Sequence, residues 1–275
     1  MNPSHPTHFT LNNGLTMPSL GLGVLFAKND GEVESAVRAA LESGYRKIDT
    51  ASAYQNEQGV GRALQHSGVP RADVFLGTKV WNSEQGYDQT LRAFDNSLAR
   101  LQTDYVDLYL IHWPVPSKYR DTYRAMEQIY AGGRAKAIGV CNFSVAQLQD
   151  LMAHSSIVPA VNQVEMHPHL SQNELLTFAQ THQIQLEAWR PIMMGEVLQM
   201  PELQAIGATH GKSAVQVALR WLVQRGVAAI PKSVNPKRIQ QNADIFDFEL
   251  TPQEMAIIEG LNQNRNLGEN LSLVE

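Results

Sequence analysis

An aspartate and a tyrosine five residues apart, Asp49 and Tyr54, stand where a short apolar strand gives way to a helix in the stretch 44–61. Lys79 closes a continuous apolar run at 74–79, and His112 closes another at 105–112. An acid, a phenol, an amine and an imidazole at successive strand ends are the parts of a proton-delivery site. A phenol with a reference pKa near about 10 is too weak an acid to shuttle protons easily near neutrality. An ammonium beside it favours the phenolate, and a carboxylate beside the ammonium keeps both charges in a buried place. His112 can donate a hydrogen bond to a substrate oxygen or share the proton. The set suits delivery of a proton to a developing alkoxide. It calls for no metal, and no serine or cysteine nucleophile with an adjacent base accompanies it. Taken alone, Asp49 reads equally well as a solvated acid at an ordinary turn.

A second group lies further along. Asn142 and Gln163 carry side-chain amides, which pair well with a carboxamide, and Trp189 offers a flat face for stacking. Lys232, Ser233, Asn235 and Arg238 follow a late apolar strand, and Asn235-Pro236 opens a helix whose N-terminus favours a phosphate. Two cations and a hydroxyl there suit a terminal phosphomonoester; the alternative is a solvated basic helix start. Trp81 and Trp113 lie just beyond Lys79 and His112. With Leu25, Phe26 and the tail 262–275 they predict an apolar substrate mouth, to which Arg190 adds an attraction for anions. His167-Pro168-His169 resembles a metal-ligand pair, but no further ligands stand on other strands in the places a barrel metallohydrolase needs. Cys141 has no histidine placed beside it by sequence.

These side chains need a frame. Residues 9–20 read as a hairpin around Asn13-Gly14, a two-residue turn signal. From there short apolar strands alternate with helical periodicity eight times, the strand ends falling near Gly23, Asp49, Lys79, His112, Val140, Gln163, Ala188 and Ile230. Helix starts are marked by Ser171-x-x-Glu174 and Ser213-x-x-Gln216, which have capping-box spacing, and by Asn235-Pro236 and Thr251-Pro252. The longer interval after the seventh strand predicts an inserted loop. Eight units in roughly 250 residues predict an α/β chain folded as a (β/α)8 TIM barrel, with an N-terminal β-hairpin cap and an extra C-terminal helix, as one domain over residues 1–275. In such a barrel the chemistry sits at the C-terminal rim of the strands, where these polar residues fall. An open doubly wound sheet is the second choice. Binding a dinucleotide there calls for G-x-G-x-x-G, and Gly21-x-Gly23 lacks the third glycine.

Composition agrees. The chain has 275 residues, 43% hydrophobic, enough for a large core, with 18% charged residues and a net charge of −5. The absence of a basic run argues against nucleic acid or an anionic membrane surface as partner. A single cysteine excludes an internal disulfide and fits a reducing compartment. No apolar run approaches the roughly 20 residues of a membrane span, and the polar start, residues 1–9, lacks a signal peptide's apolar core. A cytoplasmic monomer is the expectation.

The motifs closely resemble those of the aldo-keto reductase family, in order and over nearly the whole chain. Gly44-Tyr45-Arg46-x-Ile48-Asp49-Thr50-Ala51, followed by Tyr54, Glu57, Val60 and Gly61, is similar to its first signature. Asp107-Leu108-Tyr109-Leu110-Ile111-His112-Trp113-Pro114, Gly139-Val140-Cys141-Asn142-Phe143 and Val161-Asn162-Gln163-Val164-Glu165 resemble the central ones. Ile230-Pro231-Lys232-Ser233-Val234, with Arg238 and Asn242, resembles the last. The resemblance implies a (β/α)8 barrel that binds NADPH in extended form without a Rossmann fold. It implies that Tyr54 is the general acid and that Asp49, Lys79 and His112 complete a tetrad, Asp49 anchoring Lys79. It implies that Asn142 and Gln163 hold the nicotinamide carboxamide, that Trp189 stacks, and that Asn242 meets adenine. Lys232, Ser233 and Arg238 would hold the adenosine 2′-phosphate, with preference for NADPH over NADH. The chain looks most like the bacterial branch that reduces 2,5-diketo-D-gluconate, methylglyoxal and similar small carbonyls to alcohols. Four positions depart: Cys141 stands for a usual serine, Arg190 for serine or glycine, Gln241 for an acid, and Leu25 for an aromatic. Arg190 is expected to meet the pyrophosphate or to reshape the loop 193–200. The alternatives are a non-catalytic NADPH-sensing subunit, against which the complete tetrad argues, and a metal-dependent hydrolase.

Overall fold

The computed structural model describes residues 7–268. The last part of the tail expected at the substrate mouth, 269–275, lies outside them. Strands β1 (His8–Thr10) and β2 (Thr16–Pro18) form the antiparallel hairpin. Its turn differs from the two-residue expectation. The Leu11 amide still donates to the Leu15 carbonyl, so three residues, 12–14, make the loop. Gly14, at φ +84°, supplies the left-handed residue that such a loop needs. Buried Leu11 and Met17 then join Phe75, Leu108, Leu110 and Ala228 in one apolar cluster, so the hairpin plugs one end of the barrel.

Eight parallel strands follow in simple order: β3 (Leu22–Gly23), β4 (Lys47–Asp49), β5 (Phe75–Val80), β6 (Leu108–Ile111), β7 (Ile138–Cys141), β8 (Val161–Glu165), β9 (Gln185–Trp189) and β10 (Ala228–Ala229). Parallel bridges from Leu20 to Ala229 and from Gly23 to Lys232 join last to first. The fold is the expected (β/α)8 architecture.

Among the described residues ten helices surround it: α1 (Glu32–Glu42), α2 (Glu57–His66), α3 (Tyr87–Leu101), α4 (Tyr119–Ala131), α5 (Val145–Ala153), α6 (Asn173–Thr181), α7 (Pro201–His210), α8 (Ala214–Gln224), α9 (Pro236–Ala243) and α10 (Pro252–Glu259). α3, for example, buries an apolar stripe of Ala93, Phe94, Leu98 and Leu101, with Phe94 fully buried. The Ser213 capping box forms as expected, and Thr251 caps α10 ahead of Pro252 as expected, with Glu254 completing a box there as well. The one at Ser171 does not form. Gln172 takes a left-handed conformation before α6, and the Ser171 amide is taken by Asn262 Oδ1 at 3.1 Å, so the hydroxyl is left without a cap to make. The long interval after β9 holds α7 and a tight 3-10 segment, Met193–Gln199, where Met194 and Gly195 break helical geometry.

Candidate active site

The C-terminal ends of the strands open into a cavity of about 820 Å³. Asp49 ends β4, and Lys79, fully buried, lies next to it on β5. Lys79 Nζ donates to Asp49 Oδ2 at 2.6 Å and to the Thr50 carbonyl at 2.9 Å, and reaches the Tyr54 hydroxyl at 3.4 Å. Strand pairing brings the acid and the amine together, because β4 and β5 are hydrogen-bonded neighbours.

Tyr54 sits in a 3-10 turn, Ser52–Tyr54, whose position is set by a residue that sequence reading passed over. Asn56 is fully buried. Its Nδ2 donates to the carbonyls of Val24 at 2.9 Å and Ala27 at 3.0 Å, while its Oδ1 accepts the Thr50 hydroxyl at 2.8 Å. Glu57, next in the chain, accepts the Thr78 hydroxyl at 2.6 Å and Arg100 Nε at 2.6 Å, tying α2 to β5 and α3. The junction, residues 50–58, is mostly polar, so residue type does not mark these two; only packing shows that Asn56 and Glu57 point inward.

The electrostatics follow from this burial. Burial pushes the Asp49 carboxyl up, and the Lys79 ammonium pulls it back. For Lys79, burial disfavours the charge and is the largest single influence, but the groups around the amine, the Asp49 carboxylate foremost, together outweigh it and hold the amine protonated. Tyr54 is pushed up to about 12, since burial exceeds the lowering exerted by Lys79. The expectation that Lys79 brings the phenol below its ordinary value is therefore corrected. Lys79 opposes a desolvation that would otherwise lift it further. His112 is driven well below the ordinary imidazole value by burial and then by Lys79, so it is neutral. Its ring lies edge-on to Tyr54, 5.6 Å between centroids, and to Trp81, 4.9 Å.

The second group converges on the same cavity. Asn142, in a left-handed conformation at φ 64°, donates to the His112 carbonyl at 3.0 Å and accepts Trp189 Nε1 at 2.9 Å. Gln163 turns its amide nitrogen inward, to Asp49 Oδ1 at 3.0 Å and Glu187 Oε2 at 2.7 Å, while its Oε1 accepts the Cys141 thiol at 3.9 Å and keeps a second lone pair. Trp189 and Arg190 line the cavity, the guanidinium 5.5 Å from the indole and donating to the Leu267 carbonyl. Lys232, Ser233, Arg238, Gln241 and Asn242 line the far end. Lys232 and Arg238 are exposed, and their charged ends have no ion-pair partner among the described residues. Asn235 does not line the cavity. Its Oδ1 caps α9 by accepting the Arg238 amide at 3.2 Å, so its part is to build the helix end rather than to face a ligand.

The mouth is apolar. Leu25, Phe26, Trp81 and Trp113 line it as expected. Phe26 and Met194 are 69% and 76% exposed, unusual for side chains of that size, and Leu198 joins them. The sequence reading did not single out Met194, Leu198, Ile192, Gln55, Ser213 or Val215 as lining residues. The first three come from the segment after β9, whose path no periodicity reveals. His167 and His169 serve the chain end instead of a ligand site. His167 Nε2 meets Glu165 at 3.0 Å, and Glu165 accepts the amides of Leu267 and Gly268, each at 2.9 Å. The His169 carbonyl accepts the amides of Gln263 and Arg265.

The Aldo/keto reductase family profile matches residues 19–263. The chain is similar to the glyoxal reductase of Bacillus subtilis, 51% identical over 260 residues and 94% of each chain. It is also similar to the methylglyoxal reductase of Escherichia coli, 42% identical over 269 residues, with 96% of this chain and 97% of that one covered. Among solved structures, an aldo-keto reductase of Bombyx mori in complex with NADP superposes with a TM-score of 0.90 at 36% identity, covering 97% of both chains.

Proposed function

The chain belongs to the aldo/keto reductase family, and on that premise we propose how it carries out NADPH-dependent carbonyl reduction, and on which substrates. The observation that carries the reading is the Asp49–Lys79–Tyr54 array beneath an open cavity, with a neutral His112 beside the phenol. The residues present suit the cofactor. Two cations, Lys232 before α9 and Arg238 in its first turn, neither with an ion-pair partner among the described residues, fit a phosphomonoester, a cavity of about 820 Å³ accommodates a large ligand, and an indole and an amide oxygen with a lone pair left fit a nicotinamide carboxamide. When bound, NADPH supplies the hydride.

The remaining work belongs to side chains. Trp81, Trp113 and Leu25 hold the carbonyl compound in an apolar, poorly hydrated mouth. Neutral His112 donates its ring N–H to the carbonyl oxygen and orients it. As negative charge grows on that oxygen, Tyr54 gives up its proton. Lys79 offsets the phenolate charge that results, and Asp49 keeps Lys79 charged and in place. Asp49 transfers no proton itself. Lys232, Ser233 and Arg238 select the 2′-phosphate, and Asn242 faces the base.

For the substrate we propose small aldehydes and α-dicarbonyls, of which methylglyoxal and keto-sugar acids such as 2,5-diketo-D-gluconate are the trial set. Similarity to relatives named for glyoxal and methylglyoxal supports this, and Arg190 at the cavity wall favours anionic members of the set. The test is NADPH oxidation over a panel of aldehydes, α-ketoaldehydes and keto-sugar acids. Turnover of several α-dicarbonyls is expected; NADPH binding without turnover on any member would return the chain to the role of a sensor.

A further inference from the structure

We propose that the buried pair Lys47–Glu187 is a positioning element for the proton-delivery array and for the amide that faces the cofactor, a role that rests on the function proposed above. Both side chains are fully buried, deep in the barrel. Lys47 and Asp49 lie two apart on β4 and so point to the same side, into the barrel. The lysine stem runs past Gly21, where a Cβ would come within 2.8 Å of it, and its ammonium ends on Glu187 Oε1 and, at 3.0 Å, on Met17 Sδ of the hairpin plug.

Glu187 does not end there. Its Oε2 accepts Gln163 Nε2 at 2.7 Å, and the same nitrogen donates to Asp49 Oδ1 at 3.0 Å. Gln163 and Glu187 are register partners on β8 and β9, so strand pairing fixes this contact. An unbroken chain therefore runs Lys47–Glu187–Gln163–Asp49–Lys79–Tyr54. Two consequences follow. With both amide hydrogens of Gln163 held by carboxylates, its oxygen has one orientation, beside the Cys141 thiol in the wall of the cavity. And the two carboxylates joined through one amide each meet an ammonium of their own, Glu187 that of Lys47 and Asp49 that of Lys79.

Well-packed apolar residues in place of a buried ion pair are often as stable or more so, so plugging the barrel is by itself a weak reason for the pair. The titratable groups facing the two carboxylates are Lys47, Lys79, the Tyr54 phenol and the Cys141 thiol, with His112 beyond Lys79. Removing Lys47 alone leaves two carboxylates for one ammonium. As pH falls, one takes a proton at a higher pH than in the parent, and Asp49 then holds Lys79 less firmly.

The experiment compares the parent enzyme with Lys47→Met, Lys47→Met/Glu187→Gln and Lys47→Met/Glu187→Leu, reading the pH profile of kcat, and NADPH affinity by tryptophan fluorescence. In Lys47→Met the acid limb of kcat moves up by about one pH unit or more. Adding Glu187→Gln removes the surplus charge but keeps an acceptor for Gln163, and the parental profile returns. Glu187→Leu in its place also restores the profile, but frees Gln163 and weakens NADPH at least about fivefold. An unmoved acid limb in Lys47→Met would overturn the electrostatic part. Equal NADPH affinity in the two double variants would overturn the orienting part, and this comparison stands even if the single variant fails to fold. A parent that binds NADPH but reduces no carbonyl would instead sink the proposed function, and the affinity comparison would still be readable.

Discussion

Replacing Tyr54 with phenylalanine removes one oxygen from the site and little else. Among the described residues the hydroxyl has a single partner, Lys79 at 3.4 Å, a long contact whose loss changes stability by no more than about 1 kcal/mol. The effect on rate is much larger. With the phenol at about 12, the next proton source is water, near about 15.7, a gap of roughly 3.7 pKa units or about 5 kcal/mol. If half of that gap is felt in the transition state, turnover drops about 70-fold. Loss of a hydrogen-bond donor to the developing oxyanion adds a further factor, and together they give about 10³, inside the span of roughly 10² to 10⁴ for general acids. The assay is NADPH oxidation under saturating carbonyl substrate, with NADPH affinity measured in parallel by fluorescence. Affinity should stay within about twofold, since Tyr54 holds the substrate end of the cavity. A variant that retains kcat within about tenfold of the parent would refute Tyr54 as the acid, and would move attention to His112.

Other outcomes follow from the same geometry. Arg238→Ala should weaken NADPH at least about tenfold and NADH hardly at all, a charge-assisted bond to phosphate being worth about 1.5–3 kcal/mol; equal losses in a titration of both cofactors would remove the 2′-phosphate assignment. Asn56→Ala leaves the carbonyls of Val24 and Ala27 without their buried donor and should cost about 2–4 kcal/mol, read as a lowered denaturant midpoint, together with a fall in kcat as the Tyr54 turn loosens. Because the His112 imidazole is held well below its ordinary value, its contribution to stability is complete above the unfolded value of about 6.5 and is lost as pH falls from there toward the folded value. His112→Gln should flatten the acid-side slope of unfolding free energy against pH. In the oxidative direction Tyr54 must be a phenolate, so alcohol oxidation with NADP should climb with pH across the accessible alkaline range while reduction stays flat, a contrast that kcat profiles in both directions would read.

The local pattern carried the barrel and most of its site. Alternating apolar strands and helical periodicity need only short-range information, so eight units and the residues at their ends, Asp49, Lys79, His112, Asn142, Gln163 and Trp189, can be read from residue type and spacing. Chain grammar also fixed the starts of α8, α9 and α10, where the capping side chain and the amide it serves are three residues apart. Spacing failed where a distant group competes for the same bond. Asn262, far along the chain, takes the Ser171 amide and with it the capping box. Likewise, the segment Met193–Gln199 has no period to betray that it walls the cavity.

What tertiary structure alone decided is which way the buried polar groups face and what charge they keep. Sequence places Gln163 at a strand end with two equivalent amide faces; Asp49 and Glu187, from strands on either side of the barrel mouth, choose between them. Sequence gives Tyr54 a lysine neighbour; only the depth of both groups shows that desolvation outweighs the attraction and leaves the phenol near about 12. Hydrogen bonds and solvation act over a few ångströms in space, and for these residues the partners lie 114 and 24 positions away in the chain.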